Sequence, residues 1–457
     1  MKNIKKKVNL VISNYNLVSR GNVIDFIKSN PENLSYLELS RIAETVNNKK
    51  QETAAFYTSM DMIDYMESSL PEFNKDIIRI LEPSVGIGHL LEVLQKKYRL
   101  QKKVIIDVVD IDSESLEICK LLNNYRTYNS NIEINYINKD FLEIEFNTKY
   151  DLIIGNPPFL SKNKVSKWSK YETIFDDKVT KNLAGLFMKK SIDLSSNILL
   201  IMPKYFLHNP DFRLIRDKCK KQAIKNIIDF GEKGFEGVLI ETLAILINTI
   251  ERPNVTETYS VTLNKRNVYP QEKITDDSFP NWLIYRNEFF DNISNKMEKD
   301  IFNVYRDRSI TNKVLNGDMG SEKVRVLKSR NIKRDGSGLI DIDGYDAYIS
   351  KDELKRHDVK KYLNRDDVYL SPNMTYYPRV IRKPANCVTN GSVAILENKT
   401  MNKIKQEHLD FWNSEEFNQY YAIARNYSTR SLNIDRNSVF YFGLYDYKGV
   451  GYNDQKK

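Results

Sequence analysis

The sequence predicts an α/β protein. A doubly wound, mostly parallel sheet should occupy residues 51–255, behind a helical segment over 1–50 and ahead of a mixed α+β domain over 256–457. Two observations carry this. Between about residues 50 and 250, short apolar runs alternate with amphipathic helical stretches, the pattern of βα units. Beyond about 255 the segments become short, polar and rich in Tyr, Asn, Lys and Arg. A chain of 457 residues has length for two or three domains, and 41% apolar residues suffice for real cores.

Taken in order, Val23-Ile24-Asp25-Phe26-Ile27 and Tyr36-Leu37-Glu38-Leu39-Ser40-Arg41-Ile42-Ala43 repeat at helical spacing. Ser35, with Glu38 three residues later, predicts a capping box that starts the second of these helices. Buried strands are predicted over 77–81, 104–109, 151–154, 197–202 and 242–247, where β-branched and aliphatic residues run together.

Composition excludes several classes. No run of eighteen apolar residues is present, so no membrane span is expected. The basic start, Met1 to Lys7, is not followed by the apolar stretch and small-residue cleavage site of a signal peptide. Cys119, Cys219 and Cys387 are far apart and odd in number, which points to a reducing compartment and against disulfides or zinc. His89, His208, His357 and His408 lack metal-ligand spacing, so no metal is expected. The net charge of +9 is uneven: residues 51–150 hold 11 basic against 17 acidic side chains, residues 301–400 hold 19 against 13. A basic surface away from an acidic core suits a polyanionic partner.

The most specific stretch is Asn156-Pro157-Pro158-Phe159, directly after the strand at 151–154. Prolines fix φ, so the Asn156 side-chain carbonyl and a neighbouring backbone carbonyl are set in place as acceptors for one amino group. Phe159 can stack on a base. Upstream, Glu82-Pro83-Ser84-Val85-Gly86-Ile87-Gly88 follows the first strand and opens a helix. Gly86 and Gly88 allow close backbone approach to a ligand, and Glu82 can bind an ammonium. Leu91 stands where a dinucleotide fingerprint has its third glycine, which argues against a pyrophosphate site. The second strand ends in Asp110-Ile111-Asp112: Asp110 suits ribose hydroxyls, Ile111 an adenine face, and Asp112 reads as the cap of the helix at Ser113. The third strand region ends in Asp140-Phe141, an acceptor for an exocyclic amine beside a ring that can cover the base.

This order of strand ends resembles the N6-adenine DNA methyltransferases of restriction–modification systems. The resemblance covers roughly residues 50–250. It implies a Rossmann-like S-adenosylmethionine (SAM)-dependent sheet, with the cofactor held by Glu82, Pro83, Ser84, Gly86, Gly88, Asp110, Ile111, Asp140 and Phe141. It implies catalysis by Asn156, Pro157, Pro158 and Phe159 on the amine of a flipped adenine. Ala54-Ala55-Phe56-Tyr57-Thr58-Ser59 resembles the family's segment ahead of the first strand, which carries Tyr57 and Thr58 over as cofactor contacts. Met202-Pro203-Lys204-Tyr205-Phe206 resembles the post-catalytic strand end, and Gly234-Phe235-Glu236-Gly237 the loop whose aromatic, here Phe235, packs on the flipped base.

A target-recognition domain is then expected over 256–457. Its candidate DNA contacts are Arg325, Lys328, Arg330, Lys333 and Arg334 in one basic run, Tyr376, Tyr377, Arg379, Arg382 and Lys383 in an aromatic–basic run, and Arg425 and Arg430. The resemblance implies double-stranded DNA as substrate and leaves room for a separate cognate restriction endonuclease; a monomer in the bacterial cytoplasm is expected. Asn-Pro-Pro-aromatic also serves enzymes that methylate an RNA base amine or a protein glutamine amide. A non-catalytic DNA-binding module is the reading from another class.

Overall fold

The computed structural model describes residues 2–46, 60–126, 130–175, 180–232, 240–375, 377–429 and 433–446. These fall into two units, Met1–Asp276 and Asp277–Lys457.

The first unit opens with helices α1 (Lys2–Asn14), α2 (Arg20–Ser29) and α3 (Tyr36–Thr45). Ser35 and Glu38 form the expected capping box at α3, each satisfying a backbone N–H of the other. Ser19 caps α2 by accepting from the Asn22 N–H at 3.2 Å. The apolar faces of these helices, including Val23, Ile27, Leu39 and Ile42, share one core with Ile87, Ile118 and Leu122. The N-terminal segment is therefore a layer of the first unit rather than a separate domain.

Helix α4 (Met60–Ser69) leads into a nine-stranded sheet: β1 (Ile77–Glu82), β2 (Lys103–Asp110), β3 (Ile132–Asn138), β4 (Leu152–Gly155), β5 (Asn197–Pro203), β6 (Ala223–Gly231), β7 (Thr242–Asn248), β8 (Val255–Ser260) and β9 (Lys265–Pro270). Their spatial order is β3-β2-β1-β4-β5-β7-β6-β8-β9. Strands β3, β2, β1, β4 and β5 are parallel, and β7 inserts antiparallel between β5 and β6. All five expected strands are present. They are largely apolar, apart from Arg79 in β1 and Asp107 in β2, because helices cover the parallel sheet; Ile78, Ile80, Val104, Ile106, Leu152 and Ile154 are fully buried. Helices α5 (His89–Lys97), α6 (Ser113–Asn123), α7 (Trp168–Ile174), α8 (Leu183–Leu194) and α9 (Arg213–Cys219) lie in the connections. The chain runs outward through β2 and β3, then returns to β4 on the other side of β1. The carboxyl ends of β1 and β4 thus flank a topological switch point, where such sheets bind ligands.

The two units meet between Asp276 and Asp277, beyond the 255/256 boundary expected from texture. The reason is the β8–β9 hairpin. β8 pairs parallel with β6, and Thr256 Oγ1 donates to the Ile224 carbonyl at 2.7 Å. The inward face of β8 is Thr256, Thr258 and Ser260, all fully buried, so a core strand reads as polar loop.

The second unit is α+β, as expected. Strands β10 (Met297–Glu298) and β18 (Leu444–Tyr445) pair with each other. One sheet runs β11 (Phe302–Tyr305), β17 (Val393–Asn398), β14 (Tyr369–Pro372), β15 (Ile381–Arg382). Another runs β13 (Ala347–Ser350), β12 (Lys323–Leu327), β16 (Cys387–Thr389). Both contribute to a core around Val326, Ile349, Leu370, Val388 and Ile395. Among the described residues, no helix is long and apolar enough to cross a membrane, and no cluster of side chains could hold a metal ion.

Candidate active site

Because β1, β2 and β4 are parallel, Glu82, Asp110 and Asn156 emerge at one edge of the sheet. A cavity of about 430 Å³ opens there. Its wall includes Glu82, Pro83, Ser84, Gly86, Asp110, Ile111, Asp140, Phe141, Asn156 and Pro158.

The turn from β1 into α5 depends on Gly88. Its φ is +86°, and a Cβ there would lie 2.6 Å from Cys119 Sγ. Gly86 donates its N–H to Asp110 Oδ2 at 2.8 Å, and the Asp112 N–H donates to Oδ1 at 2.8 Å. Both Asp110 oxygens are thereby oriented, while burial pushes its pKa up to about 6. Ile111 is 60% exposed, an apolar surface left open beside that carboxylate. Glu82 is buried, and its Oε2 has no hydrogen-bond partner among the described residues. Burial holds this carboxyl well above the usual range, nearby Arg126 opposes the shift, and Asp110 adds to it. An orphaned buried carboxylate oxygen on a cavity wall calls for a cationic donor.

Asp112 caps α6 as expected, accepting from the Glu114 N–H at 3.2 Å. It also pairs with Arg20 of α2, a buried residue that lines the same cavity and that sequence reading missed. Asp140 Oδ1 accepts from the Leu142 N–H at 3.0 Å, and Oδ2 accepts from the Tyr171 hydroxyl at 2.7 Å. Phe141 is 2% exposed and packs on Phe187 with ring centres 4.9 Å apart, so it backs the cavity wall rather than projecting across it. Beneath this turn, Lys190 of α8 donates to the carbonyls of Phe141, Leu142 and Ile144 at 2.6, 3.2 and 2.5 Å; burial lowers its pKa to about 8.

At the end of β4, Gly155 lets the chain pass close to β1: a Cβ there would lie 3.1 Å from Pro83 Cδ. Ser84 Oγ donates to the Asn156 backbone carbonyl at 3.2 Å, tying the glycine turn to the Asn-Pro-Pro corner. Asn156 and Pro158 line the cavity. Pro157 is buried and stands outside that lining. Phe159 packs against the apolar core of the sheet, also outside the lining. Lys204, at the end of β5, is buried with Asp229 at 2.8 Å and Glu241 at 3.5 Å. Tyr57, Thr58 and Phe235, and in the second unit Tyr376 and Arg430, lie outside the described residues.

The basic candidates of the second unit divide by exposure. Arg330, Lys333, Arg334 and Arg382 are exposed, and Tyr377 is 70% exposed. Lys328 and Arg330 both lie over the Tyr345 ring, at 3.9 and 4.8 Å from its centre. Arg325 is bridged to Asp341 at 2.5 Å and Asp346 at 3.3 Å. Arg379 is half-buried and donates to the Ile332 carbonyl at 3.3 Å, and Arg425 is half-buried at a helix end. Lys383 corrects the sequence reading. It is fully buried, its ammonium donating to the carbonyls of Leu363, Arg365 and Pro384, so it has no reach to a phosphate. Alternating aromatic and basic residues cannot reveal a lysine whose charge is satisfied by backbone carbonyls.

Residues 103–235 match the Eco57I restriction-modification methylase family. Over 224 residues the chain is 27% identical to the type II methyltransferase M.AccI of Acinetobacter calcoaceticus, covering 46% of this chain and 39% of that protein. Over 114 residues it is 31% identical to the type II methyltransferase M.CvrRI of Paramecium bursaria Chlorella virus XZ-6E, covering 25% and 26%. The match thus spans less than half the length of these curated relatives. Among solved structures, the type IIG restriction endonuclease BpuSI aligns with 92% of this chain and 62% of its own, at 13% identity and a TM-score of 0.49. Residues 103–235 are thus similar to the Eco57I restriction-modification methylases, and over part of its length the chain is similar to type II methyltransferases.

Proposed function

We propose that this chain is a SAM-dependent DNA methyltransferase that modifies the N6 amino group of adenine in duplex DNA, as the modification enzyme of a restriction–modification system. The observation that carries the reading is the convergence on one cavity of the Asn156 corner with Glu82, Asp110 and Asp140.

The residues fit the cofactor. The orphaned Glu82 oxygen suits its ammonium, the oriented Asp110 carboxylate its ribose hydroxyls, exposed Ile111 its adenine face, and Asp140 its exocyclic amine. SAM, when bound, supplies the electrophilic methyl group. The chain's own contribution is alignment and fixed acceptors. Adenine N6 is a poor nucleophile because its lone pair is delocalised into the ring. Asn156 Oδ1 and the Pro157 carbonyl each accept one N6 hydrogen, which localises that lone pair on nitrogen. No strong base is needed, because the methylated amine loses its proton readily.

The target base must leave the duplex stack, at a cost of a few kcal/mol. Stacking on Phe235 offsets this by about 1–3 kcal/mol, whereas Phe159, packed on the sheet core, braces the corner from behind. The exposed Arg330, Lys333, Arg334 and Arg382, with Lys328 stacked on Tyr345, supply the phosphate contacts. The test is transfer from methyl-labelled SAM to genomic DNA, followed by nucleoside analysis. The expected product is N6-methyladenine. Labelled protein or RNA with unlabelled DNA would favour the other amine or amide substrates, and SAM-independent DNA binding alone would favour a non-catalytic module.

A further inference from the structure

The wall that follows the Asn-Pro-Pro-Phe corner is tied to the turn that carries Asp140. Tyr171, on α7, is 5% exposed and donates its hydroxyl to Asp140 Oδ2 at 2.7 Å. Two neighbours on the same stretch reinforce the tie. Lys170 pairs with Glu143 at 2.7 Å, and Lys167 lies 3.6 Å from Glu143 and 3.8 Å from Asp140. The stretch is itself braced, because Glu172 receives both Lys162 at 2.7 Å and the Trp168 indole N–H at 3.2 Å. On its other side, the Asp140 turn is held by Lys190 through three backbone carbonyls. Asp140 is therefore clamped between α7 and α8. Each carboxylate oxygen has two lone pairs. Leu142 N–H occupies one on Oδ1 and Tyr171 one on Oδ2, which leaves acceptor capacity on a carboxylate that lines the cavity together with Tyr171.

We propose that Tyr171 is a positioning residue for Asp140: its hydroxyl sets the orientation in which that carboxylate receives the exocyclic amine of the bound adenosyl group, and it thereby links the wall behind the Asn156 corner to cofactor recognition. This rests on the SAM reading given above. Without the hydroxyl, Oδ2 would keep only the more distant Lys167 ammonium and Oδ1 the Leu142 N–H, and a bound amine would have to supply the rest of the orientation. A fixed acceptor binds more tightly because its ordering cost is met before the ligand arrives. The coupling is reciprocal, so a bound cofactor also holds Tyr171, and with it α7, in place.

The test is titration calorimetry with two ligands, SAM and its purine-riboside analogue, which carries hydrogen in place of the exocyclic amine. Tyr171→Phe keeps the ring and removes only the hydroxyl. It should weaken SAM binding about five- to tenfold, the range for loss of one such hydrogen bond. It should change binding of the analogue by less than about twofold, since the analogue offers Asp140 no donor. Asp140→Ala in the wild type should also weaken SAM; in the Tyr171→Phe background it should cost less than it does in the wild type, so that the double variant loses less than the sum of the two single effects, because the residues act as a unit. Unchanged SAM affinity in Tyr171→Phe overturns the proposal. Equal loss for SAM and the analogue also overturns it, because the hydroxyl would then be merely structural. A wild-type protein that binds neither ligand removes the SAM reading itself, a result distinguishable from failure of the Tyr171 link alone.

Discussion

At the scale of single residues, the proposed function gives Asn156 and Asp110 separable duties. Asn156 lies after β4 on the cavity wall, whereas Asp110 is built into the glycine turn by two backbone N–H donors. Asn156→Ala should lower methyl transfer by about 10²–10³-fold, the range for removing a fixed polar group that acts at the reacting centre. Its affinity for SAM should stay within about twofold of wild type by calorimetry; joint loss of both would place Asn156 with the cofactor instead. Asp110 predicts a pH dependence. Its pKa rises from an ordinary 3.8 to about 6 because it is buried, so in the free protein this group contributes stability that is present below 3.8 and lost as pH climbs through 6. Binding runs the other way. Ribose hydroxyls donate to the carboxylate form, so SAM binding expels the proton. Asp110 alone should raise affinity about tenfold between pH 5 and 7, with proton release visible when buffers of different ionisation enthalpy are compared and that part of the rise absent in Asp110→Asn. A flat affinity profile over that window would remove Asp110 from the site.

At the scale of elements, the glycine turn between β1 and α5 is the most demanding piece. Gly88→Ala forces a side chain into left-handed backbone and into Cys119 Sγ. The strain and the overpacking together should cost about 2–4 kcal/mol, read as a lowered urea midpoint, with SAM affinity falling alongside. A variant as stable as wild type would show that the turn can relax. Elements were also where the sequence was most legible. The five buried strands are predominantly aliphatic, with Arg79 and Asp107 as the polar breaks in β1 and β2, and Ser35 with Glu38 announces α3 by local chemistry alone. The four strand-end motifs could be read because each sits within a few residues of its own strand. Arg20 and Tyr171 could not, since their carboxylate partners lie 92 and 31 residues away along the chain. β8 was missed because its buried face consists of hydroxyl residues, which pattern as loop.

At the scale of the whole molecule, the basic surplus of the second unit is not one continuous surface. Arg325 is neutralised by two aspartates and Lys383 is sealed inside, while Lys328 and Arg330 share the face of Tyr345. DNA affinity should therefore fall steeply with salt, and Lys328→Ala and Arg330→Ala should each flatten the slope by about one unit. Arg325→Ala should leave the slope as it was. Fluorescence anisotropy of a labelled duplex across a salt series decides this; superimposable wild-type and Arg330→Ala slopes would move the phosphate contacts to Lys333, Arg334 and Arg382.

The β8–β9 hairpin has a consequence for the open edge of the first unit's sheet. A sheet edge is a template for another chain unless something blunts it. The outermost strand, β9, alternates half-buried with exposed residues, carries Lys265 and Arg266, and ends in Pro270. Arg266 is further engaged by Glu257 of β8 at 2.6 Å. Such a border offers little to a second copy. Behind it lies β6, whose Ile227 and Ile228 are buried and whose Asn226 to Asp229 backbone pairs with β8. A fragment ending at residue 254 bares that apolar ribbon and should self-associate, whereas one ending at 276 keeps its guard strand and should scatter light as a single chain. Equal light scattering from both fragments would show that the hairpin has no protective role, but the opposite result would mean that a stretch resembling loop is what keeps the catalytic sheet from polymerising.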